Sequence, residues 1–236
     1  MISVHWLPRF LLTLALLGFV CFTPALSKAS PLGWWAYMDD PGFVYVHPGF
    51  HSRKVGKLHR FTEDGFLEVY RVLGASRRDR DGTRWLPILI PRRPRARFGW
   101  VPRDRMGPVH RTGLVLRVNR HLHRATLHQK KGRWRLVWRA PVAVGKGSTP
   151  TPRGVFWIRE KIHNLRGGRL YGPWAFATSA YSVLSDWPGG GVVGIHGTNQ
   201  PWLIGASVSH GCIRLRNRDV GRLVRKLKIG SALIIK

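Results

Sequence analysis

The segment "GIHGTNQPWLIGASVSHGCIRLRNRD", Gly194 to Asp219, holds the most informative pattern of the chain. It places His196 at the end of an apolar run and follows it with the cluster Ser209-His210-Gly211-Cys212. A free thiol needs a nearby base or a positive local field to become a thiolate. The segment therefore favours a thiol nucleophile with an imidazole base, provided that the rest of the chain agrees with that chemistry.

Length and charge set the limits for the whole chain. Its 236 residues are enough for two small cores, and 44% of them are hydrophobic, which excludes a disordered polycation. Lys and Arg number 40 against 11 Asp and Glu, which gives a formal charge of +29. Such a surface attracts nucleic acid, anionic lipid or acidic wall polymers, and charge alone does not choose among them.

The amino-terminal region predicts export. Arg9 precedes the apolar run Phe10 to Phe22, which is typical of a signal-peptide core, and small residues from Ala25 onward resemble a cleavage site. We expect residues 1–29 to be a signal peptide, with an uncleaved membrane anchor as the alternative. The body of the protein is then expected in the periplasm or cell wall, with this segment as its one membrane contact.

Cysteine usage supports a special role for one residue. Cys21 lies inside the predicted signal peptide, so Cys212 is expected to be the single cysteine of the mature protein. It then has no partner for an internal disulfide and is either reactive or an inert buried residue. The sequence contains no Cys/His spacing typical of a metal site, and we expect neither metal nor organic cofactor.

Short strand patterns fill the first half of the chain. They span Gly42–His47, Gly65–Leu73, Thr83–Ile90 and Gly99–Met106, and they predict a small barrel over residues 31–107 that ends near Gly107-Pro108. The loop "PRRPRARFG", Pro91–Gly99, is predicted to be a solvated basic turn.

The first half also resembles a known module. "VYVHPGFHSRKVGKLHRF", followed by a Trp-bearing strand and a closing "GWV", is similar to bacterial SH3-type domains. The resemblance implies a module that binds peptidoglycan or packs beside an enzyme.

The second half, residues 112–236, predicts a β-rich domain with one carboxy-terminal helix. β-branched and aromatic residues alternate with Arg and His from Thr112 onward. For the helix, Asn217 is the predicted N-cap, Asp219 lies in its first turn, and Gly230 ends it. Val220, Leu223, Val224 and Leu227 recur at helical spacing as its apolar face.

Two histidines are candidate bases for Cys212. His210 is two residues away and shares a face with it in an extended segment, whereas His196 reaches it only if the chain returns to the same pocket. Gly211 lacks a side chain, so the backbone N–H groups around it are predicted to form an oxyanion hole.

These residues resemble the signature of the YkuD-type L,D-transpeptidases, in which His-Gly is followed downstream by Ser/Thr-His-Gly-Cys. "VAVGKGSTPTPRGVFWI", Val142–Ile158, resembles the family's approach strand and Pro-rich loop. The resemblance implies a cysteine acyltransferase that acts on peptidoglycan stem peptides and forms 3→3 cross-links, or hydrolyses them as an L,D-carboxypeptidase.

The resemblance also implies roles for individual residues. Cys212 matches the nucleophile and His196 the general base, and the carbonyl of Gly197 matches the group that orients the imidazole. His210 and Gly211 match positions that shape the pocket and oxyanion hole. Ser209 and Arg214 match positions that hold the loop and approach the substrate.

Substrate selection is less well defined by the sequence. The segment from Arg169 to Gly190 is modest in length where relatives carry a lid. Its Trp174 and Trp187, together with Trp202, are either lining residues of an acyl-donor groove or packing residues of the core.

Two rival functions follow from other features. One is a cysteine peptidase of the NlpC/P60 kind, although its cysteine precedes its histidine and here Cys212 follows His196. The other is a noncatalytic polycation that binds anionic cell-wall polymers. Nucleic acid is not an expected partner, because Lys and Arg are dispersed and no nucleic-acid motif is present.

Overall fold

The structure is a computed structural model that describes residues 33–163, 170–186 and 188–236, and it confirms a mostly β protein. The predicted signal peptide and Cys21 lie outside the described residues. Within these ranges, no helix has the length and apolar character needed to cross a membrane.

The amino-terminal unit is one sheet with strand order β3-β2-β7-β6-β4-β1-β8, in which β5 also pairs with β6. Each strand is shorter than or shifted from its predicted span, because turns occupy the ends of the apolar runs. The SH3-type resemblance stays a prediction. The strands are β1 (Trp34–Ala36), β2 (Phe43–Tyr45), β3 (Lys54–Lys57), β4 (Tyr70–Val72), β5 (Arg77–Arg78), β6 (Arg84–Ile90), β7 (Arg97–Pro102) and β8 (His110–Arg111).

This unit has a hydrophobic core of its own. Val44, Ile88 and Val101 are fully buried at its centre. The sheet continues past Gly107-Pro108, because β8 pairs with Trp34 and Trp35 of β1. A short 3-10 helix, Arg103–Arg105, connects β7 to this last strand.

The carboxy-terminal unit contains three sheets among the described residues. Their orders are β11-β10-β9-β19-β13, β14-β15-β16-β18 and the parallel pair β12-β17. The strands are β9 (Leu114–Asn119), β10 (Arg124–Lys131), β11 (Arg133–Pro141), β12 (Val144–Gly145), β13 (Gly154–Trp157), β14 (Ile162–His163), β15 (Trp174–Tyr181), β16 (Val192–His196), β17 (Ser207–Ser209), β18 (Ile213–Arg214) and β19 (Ala232–Ile235).

A second hydrophobic core joins these sheets to the helix. Leu116, Phe176 and Ile195 are buried there. The helix α1 (Asn217–Leu223) contributes Val220 and Leu223 to the same core, so their predicted common face is confirmed.

The boundaries of α1 differ from the prediction. Arg216, not Asn217, occupies the N-cap position, and no side chain caps the helix. The helix ends at Leu223, before Val224 and well short of Gly230, although Val224 is also buried. Gly230 has a positive φ of 74° and lies under the Trp35 ring of the amino-terminal unit, so packing between the units determines its position.

A buried polar cluster joins the two units. Arg159, only 1% exposed, donates from Nε to Glu68 Oε1 at 2.8 Å and from Nη2 to Glu63 Oε2 at 2.8 Å. A second bond from Nη2 to Glu68 Oε2 makes that pair bidentate. Close by, Trp157 Nε1 donates to the Val69 carbonyl at 2.7 Å. A buried guanidinium without these partners would be strongly destabilising, so the cluster fixes how the units meet.

Glu160 adds a buried carboxyl group to this contact. It is 1% exposed, and neither carboxylate oxygen has a partner in good hydrogen-bond geometry among the described residues, although the Thr62 side chain is close enough to favour the charged form. Burial raises the pKa of Glu160 to about 7, and the negative charges of Asp64 and Glu63 act in the same direction. The folded state therefore binds this proton more tightly than the unfolded chain does.

Replacement of Glu160 by Gln is expected to stabilise the protein at pH 8 by on the order of 2 kcal/mol. In the native protein this carboxyl reduces stability as pH rises from its ordinary pKa of 4.5 to about 7, and the amide carries no charge to bury. Thermal unfolding of both proteins at pH 5 and pH 8 measures the effect. Exposed Asp81→Asn is the control. An equal difference at both pH values would contradict the ionisation account.

Candidate active site

The pairing of β16 with β18 assembles the predicted site. The two strands run parallel, with Ile195 opposite Ile213 and His196 opposite Arg214. Both isoleucines are buried in the core, which fixes the register of the pair. Cys212 immediately precedes β18 and therefore lies beside Gly194 of β16, so the chain does return to one pocket.

Gly194 has no side chain, and His196 and Cys212 both border the space beside it. Its backbone N–H donates to Cys212 Sγ at 3.4 Å. A Cβ atom at Gly194 would lie 3.5 Å from His196 Cδ2 and 3.7 Å from Cys212 Sγ. The imidazole and the thiol thus border the same small volume next to a residue that has no side chain.

The backbone fixes the tautomer of His196. The ring is buried, and Nδ1 lies 2.6 Å from the carbonyl oxygen of Gly197. A carbonyl oxygen only accepts hydrogen bonds, so Nδ1 carries the hydrogen and Nε2 keeps its lone pair. The Tyr171 ring meets the imidazole edge to face at 4.8 Å and helps to hold its plane.

Burial keeps both reactive groups neutral. It lowers the pKa of His196 to about 4 and raises the pKa of the Cys212 thiol. The Gly194 N–H and the Arg214 cation oppose the shift at the thiol, whereas Arg214 adds to the shift at the imidazole. At neutral pH the site contains a thiol beside an unprotonated imidazole, which is the arrangement of a nucleophile and a general base.

Arg214 is available to bind an anion. Its side chain is half-buried, and Nη1 lies 3.5 Å from Gln200 Oε1. In the part of the chain that the structure describes, it forms no ion pair with a carboxylate. Its backbone is held in both directions by Ala143, so the guanidinium extends from a fixed point.

The turn before Cys212 differs from the predicted oxyanion hole. Ser209 is buried, and its hydroxyl donates to the Cys212 carbonyl at 2.6 Å and accepts from the Gly211 N–H at 3.2 Å. The Gly211 N–H is therefore already used inside the turn and does not face a substrate. Gly211 has a φ of 118°, a left-handed conformation that a side chain disfavours.

His210 is half-buried. Its carbonyl accepts a hydrogen bond from Ser182 Oγ at 2.8 Å. The segment that follows β15 therefore holds the His210 backbone in position.

Two threonines that the sequence analysis did not single out hold the same turn. Thr149 Oγ1 donates to the Ser209 carbonyl at 3.1 Å, and Thr151 Oγ1 donates to the Gly211 carbonyl at 2.8 Å. The Gly145 N–H in turn donates to Thr151 Oγ1 at 2.8 Å. The prolines of this loop indicate a rigid segment in the sequence. Only the fold shows that the hydroxyls of Thr149 and Thr151 reach the turn before Cys212.

Asn217 has a different role from the predicted cap. Its Oδ1 accepts the Thr198 N–H at 2.9 Å, and it contacts the backbone at Gly172 and Gly197 so closely that a side chain at either glycine would collide with it. Asn217 therefore holds the turn that follows His196. Local sequence suggested a cap because the same residue type starts many helices.

The tryptophans occupy different environments. Trp174 packs on the core and lies 4.1 Å from the His163 ring, which favours a packing role. Trp202 is 73% exposed, in the short 3-10 helix Pro201–Leu203 just after Gln200. Trp187 lies outside the described residues.

The chain is similar to known proteins over its carboxy-terminal half. The chain is 41% identical over 101 residues to the putative L,D-transpeptidase YkuD of Bacillus licheniformis, a match that covers 43% of this chain and 54% of that protein. It is 50% identical over 109 residues to the probable L,D-transpeptidase YbiS of Escherichia coli strain K12, covering 39% and 35%. The match to YkuD thus spans about half of that relative's length.

Solved structures give a weaker likeness. An L,D-transpeptidase from Mycobacterium tuberculosis H37Rv has a TM-score of 0.43 at 18% identity, covering 72% of this chain and 90% of that one.

The family model described as the YkuD L,D-transpeptidase catalytic domain matches residues 114–235, just over half of the chain. This range contains β9 to β19, α1 and the His196–Cys212 pocket. The chain therefore belongs to the YkuD family of L,D-transpeptidase catalytic domains.

Proposed function

We propose that this protein is an exported peptidoglycan L,D-transpeptidase that forms 3→3 cross-links through a thioester on Cys212. The observation that carries the proposal is the bond from His196 Nδ1 to the Gly197 carbonyl, since it leaves Nε2 unprotonated on an imidazole that borders the same small volume as the Cys212 thiol. Membership of the family supplies the substrate class, the peptidoglycan stem peptide.

The first half-reaction forms the acyl-enzyme. Cys212 Sγ attacks the carbonyl carbon that joins the diamino acid of the donor stem to its terminal D-alanine, and His196 Nε2 takes the thiol proton. The tetrahedral intermediate then breaks its C–N bond. D-alanine leaves with the proton returned by the imidazolium, and the stem remains bound as a thioester.

The second half-reaction transfers the acyl group. The side-chain amine of an acceptor stem attacks the thioester, His196 takes the amine proton, and the C–S bond breaks to release the cross-linked product. The proton then returns to Cys212. Water in place of the amine gives hydrolysis by the same site.

The oxyanion requires a different donor from the Gly211 N–H, which already bonds Ser209. We assign this role to the backbone N–H of Cys212, because the amide of a nucleophilic residue lies close to the oxygen of the carbonyl that its own side chain attacks. The bonds from Ser209, Thr149 and Thr151 hold this turn in place before the substrate arrives.

Arg214 is proposed to bind a carboxylate of the donor stem. Its guanidinium is half-buried, and it lies opposite His196 in the strand pair. A bound carboxylate would be held through charge-assisted hydrogen bonds in a partly desolvated place. The same cation favours the thiolate that forms during attack.

The proposed location is the periplasm or cell wall, on the basis of the signal-like segment over residues 1–29. The charge of +29 supports contact with anionic wall polymers in addition to the stem peptides. If the protein were instead a noncatalytic polycation, binding to anionic wall polymers alone would produce its biological effect.

Cys212→Ala and His196→Ala are each expected to lower the transfer of muropeptide tetrapeptides by at least about 1,000-fold, because they remove the nucleophile and the proton acceptor. Product masses from purified protein and tetrapeptide muropeptides measure the transfer. Exposed His51→Ala is the matched control and should retain wild-type turnover. Full turnover by Cys212→Ala would exclude the thioester, and unchanged wall binding by that variant would separate binding from catalysis.

Alkylation of Cys212 by iodoacetamide is expected to be slower at pH 7 than that of a free cysteine and to keep rising above about pH 9. Only the thiolate reacts, and burial raises the pKa of the Cys212 thiol. Arg214→Gln should slow alkylation further, because it removes a cation that favours the thiolate. Arg216→Gln is the control, two residues along the chain. A constant rate between pH 5 and pH 8 would instead indicate a preformed thiolate–imidazolium pair.

A further inference from the structure

The loop between β6 and β7 makes a contact that its sequence did not predict. Arg93 of this loop belongs to the amino-terminal unit, yet its guanidinium reaches the segment that follows β15 in the catalytic unit. Nη1 donates to the Gly190 carbonyl at 2.7 Å, and Nη2 donates to the Leu184 carbonyl at 2.8 Å and also to the Ser182 carbonyl. The prediction of a wholly solvated turn is therefore wrong for Arg93.

The chemistry of this contact requires a guanidinium. Three backbone carbonyls converge on one cation without a carboxylate among them, so the attraction is between a charge and aligned dipoles. Arginine presents several N–H donors in a fixed plane, whereas a lysine ammonium has no comparable fork. The Arg93 guanidinium also lies over the Tyr181 ring at 5.7 Å.

A second side chain of the amino-terminal unit holds the same segment. Tyr181, the last residue of β15, donates its hydroxyl hydrogen to Glu63 Oε1 at 2.7 Å. The Ser182 N–H bonds to the Gly191 carbonyl at 2.8 Å and closes the segment into a loop. Glu63 and Arg93 thus hold the start of this loop from the amino-terminal side.

The loop contacts the cysteine turn directly through Ser182. Its hydroxyl donates to the His210 carbonyl at 2.8 Å. A Cβ atom at Gly211 would lie 2.9 Å from Ser182 Oγ and 3.1 Å from Ser182 Cβ, so the Gly211 backbone lies directly against the Ser182 side chain. Gly211 is the residue before Cys212. A shift of Ser182 must therefore shift the turn that carries the nucleophile.

We propose that Arg93 is a positioning residue for the thioester chemistry, which it supports by holding Ser182 against the His210-Gly211 backbone. On this basis the amino-terminal unit completes the active site from outside the matched family domain. The expected effect of Arg93 on turnover rests on the proposed function. Its expected effect on the position of the turn before Cys212 rests on geometry alone.

The test compares Arg93→Ala with Arg92→Ala in the full chain. Arg92 is the neighbouring exposed arginine and forms no side-chain hydrogen bond within the described ranges. Arg92→Ala therefore removes the same charge as Arg93→Ala without removing a contact to the catalytic unit. Arg93→Ala is expected to lower kcat for muropeptide transfer by about 10-fold or more with a smaller change in KM, because the nucleophile is displaced while Arg214 stays in place. Arg93→Lys should recover only part of the loss.

A double-mutant cycle separates positioning from general destabilisation. Ser182→Ala removes the hydroxyl that touches His210, and if Arg93 acts through Ser182 the double variant should be no slower than the slower single variant. Additive losses in kcat would overturn the proposal, as would equal kcat values for Arg93→Ala and Arg92→Ala. If Arg93→Ala does not fold, the cycle is run with Arg93→Lys.

A readout without substrate distinguishes this inference from the proposed function. Arg93→Ala should be alkylated at Cys212 several-fold faster at pH 7 than Arg92→Ala, since a loosened turn exposes the thiol to water. Equal alkylation rates would overturn the positioning role even in an active enzyme. A wild-type protein that fails to transfer muropeptides would overturn the proposed function and leave the alkylation comparison valid.

Discussion

The parallel pairing of β16 with β18 is the constraint on which the site depends. His196 and Cys212 are distant in sequence, and they meet only because buried Ile195 and Ile213 fix the register of these two strands. Side chains from other segments hold the turns at the ends of this pair. Asn217 holds the turn after β16, while Ser209, Thr149 and Thr151 hold the turn before β18.

The electrostatics of the pocket favour reaction from a neutral resting state. Burial lowers the pKa of His196 and raises that of Cys212, so neither group is charged before substrate enters. Arg214 opposes protonation of the imidazole and favours the thiolate. In the proposed mechanism, charge separation becomes favourable when a bound carbonyl accepts the electron pair from sulfur.

Local patterns in the sequence were enough to identify the β class and the apolar face of α1, and they singled out His196 and Cys212, which border the same small volume in the structure. They failed where one side chain acts on a distant backbone. Asn217 is a residue type that often caps helices, but here its side chain accepts a hydrogen bond from the Thr198 N–H. The Gly211 N–H donates to the Ser209 hydroxyl rather than facing a substrate. Nothing in the sequence around Arg93 indicates that three carbonyls nearly a hundred residues away would accept its hydrogen bonds.

Several buried groups of the matched domain find their partners in the amino-terminal unit. Although the chain has only 11 acidic residues, Glu63, Glu68 and Glu160 lie where the units meet, and the first two neutralise Arg159 of the catalytic unit. Trp157 Nε1 likewise finds its acceptor at Val69. Without the amino-terminal unit, these donors and the carbonyls that Arg93 binds would lose their partners beside the site, and each unpaired group would have to be solvated by local rearrangement. The amino-terminal unit therefore contributes to the stability of the fold that carries the His196–Cys212 pocket.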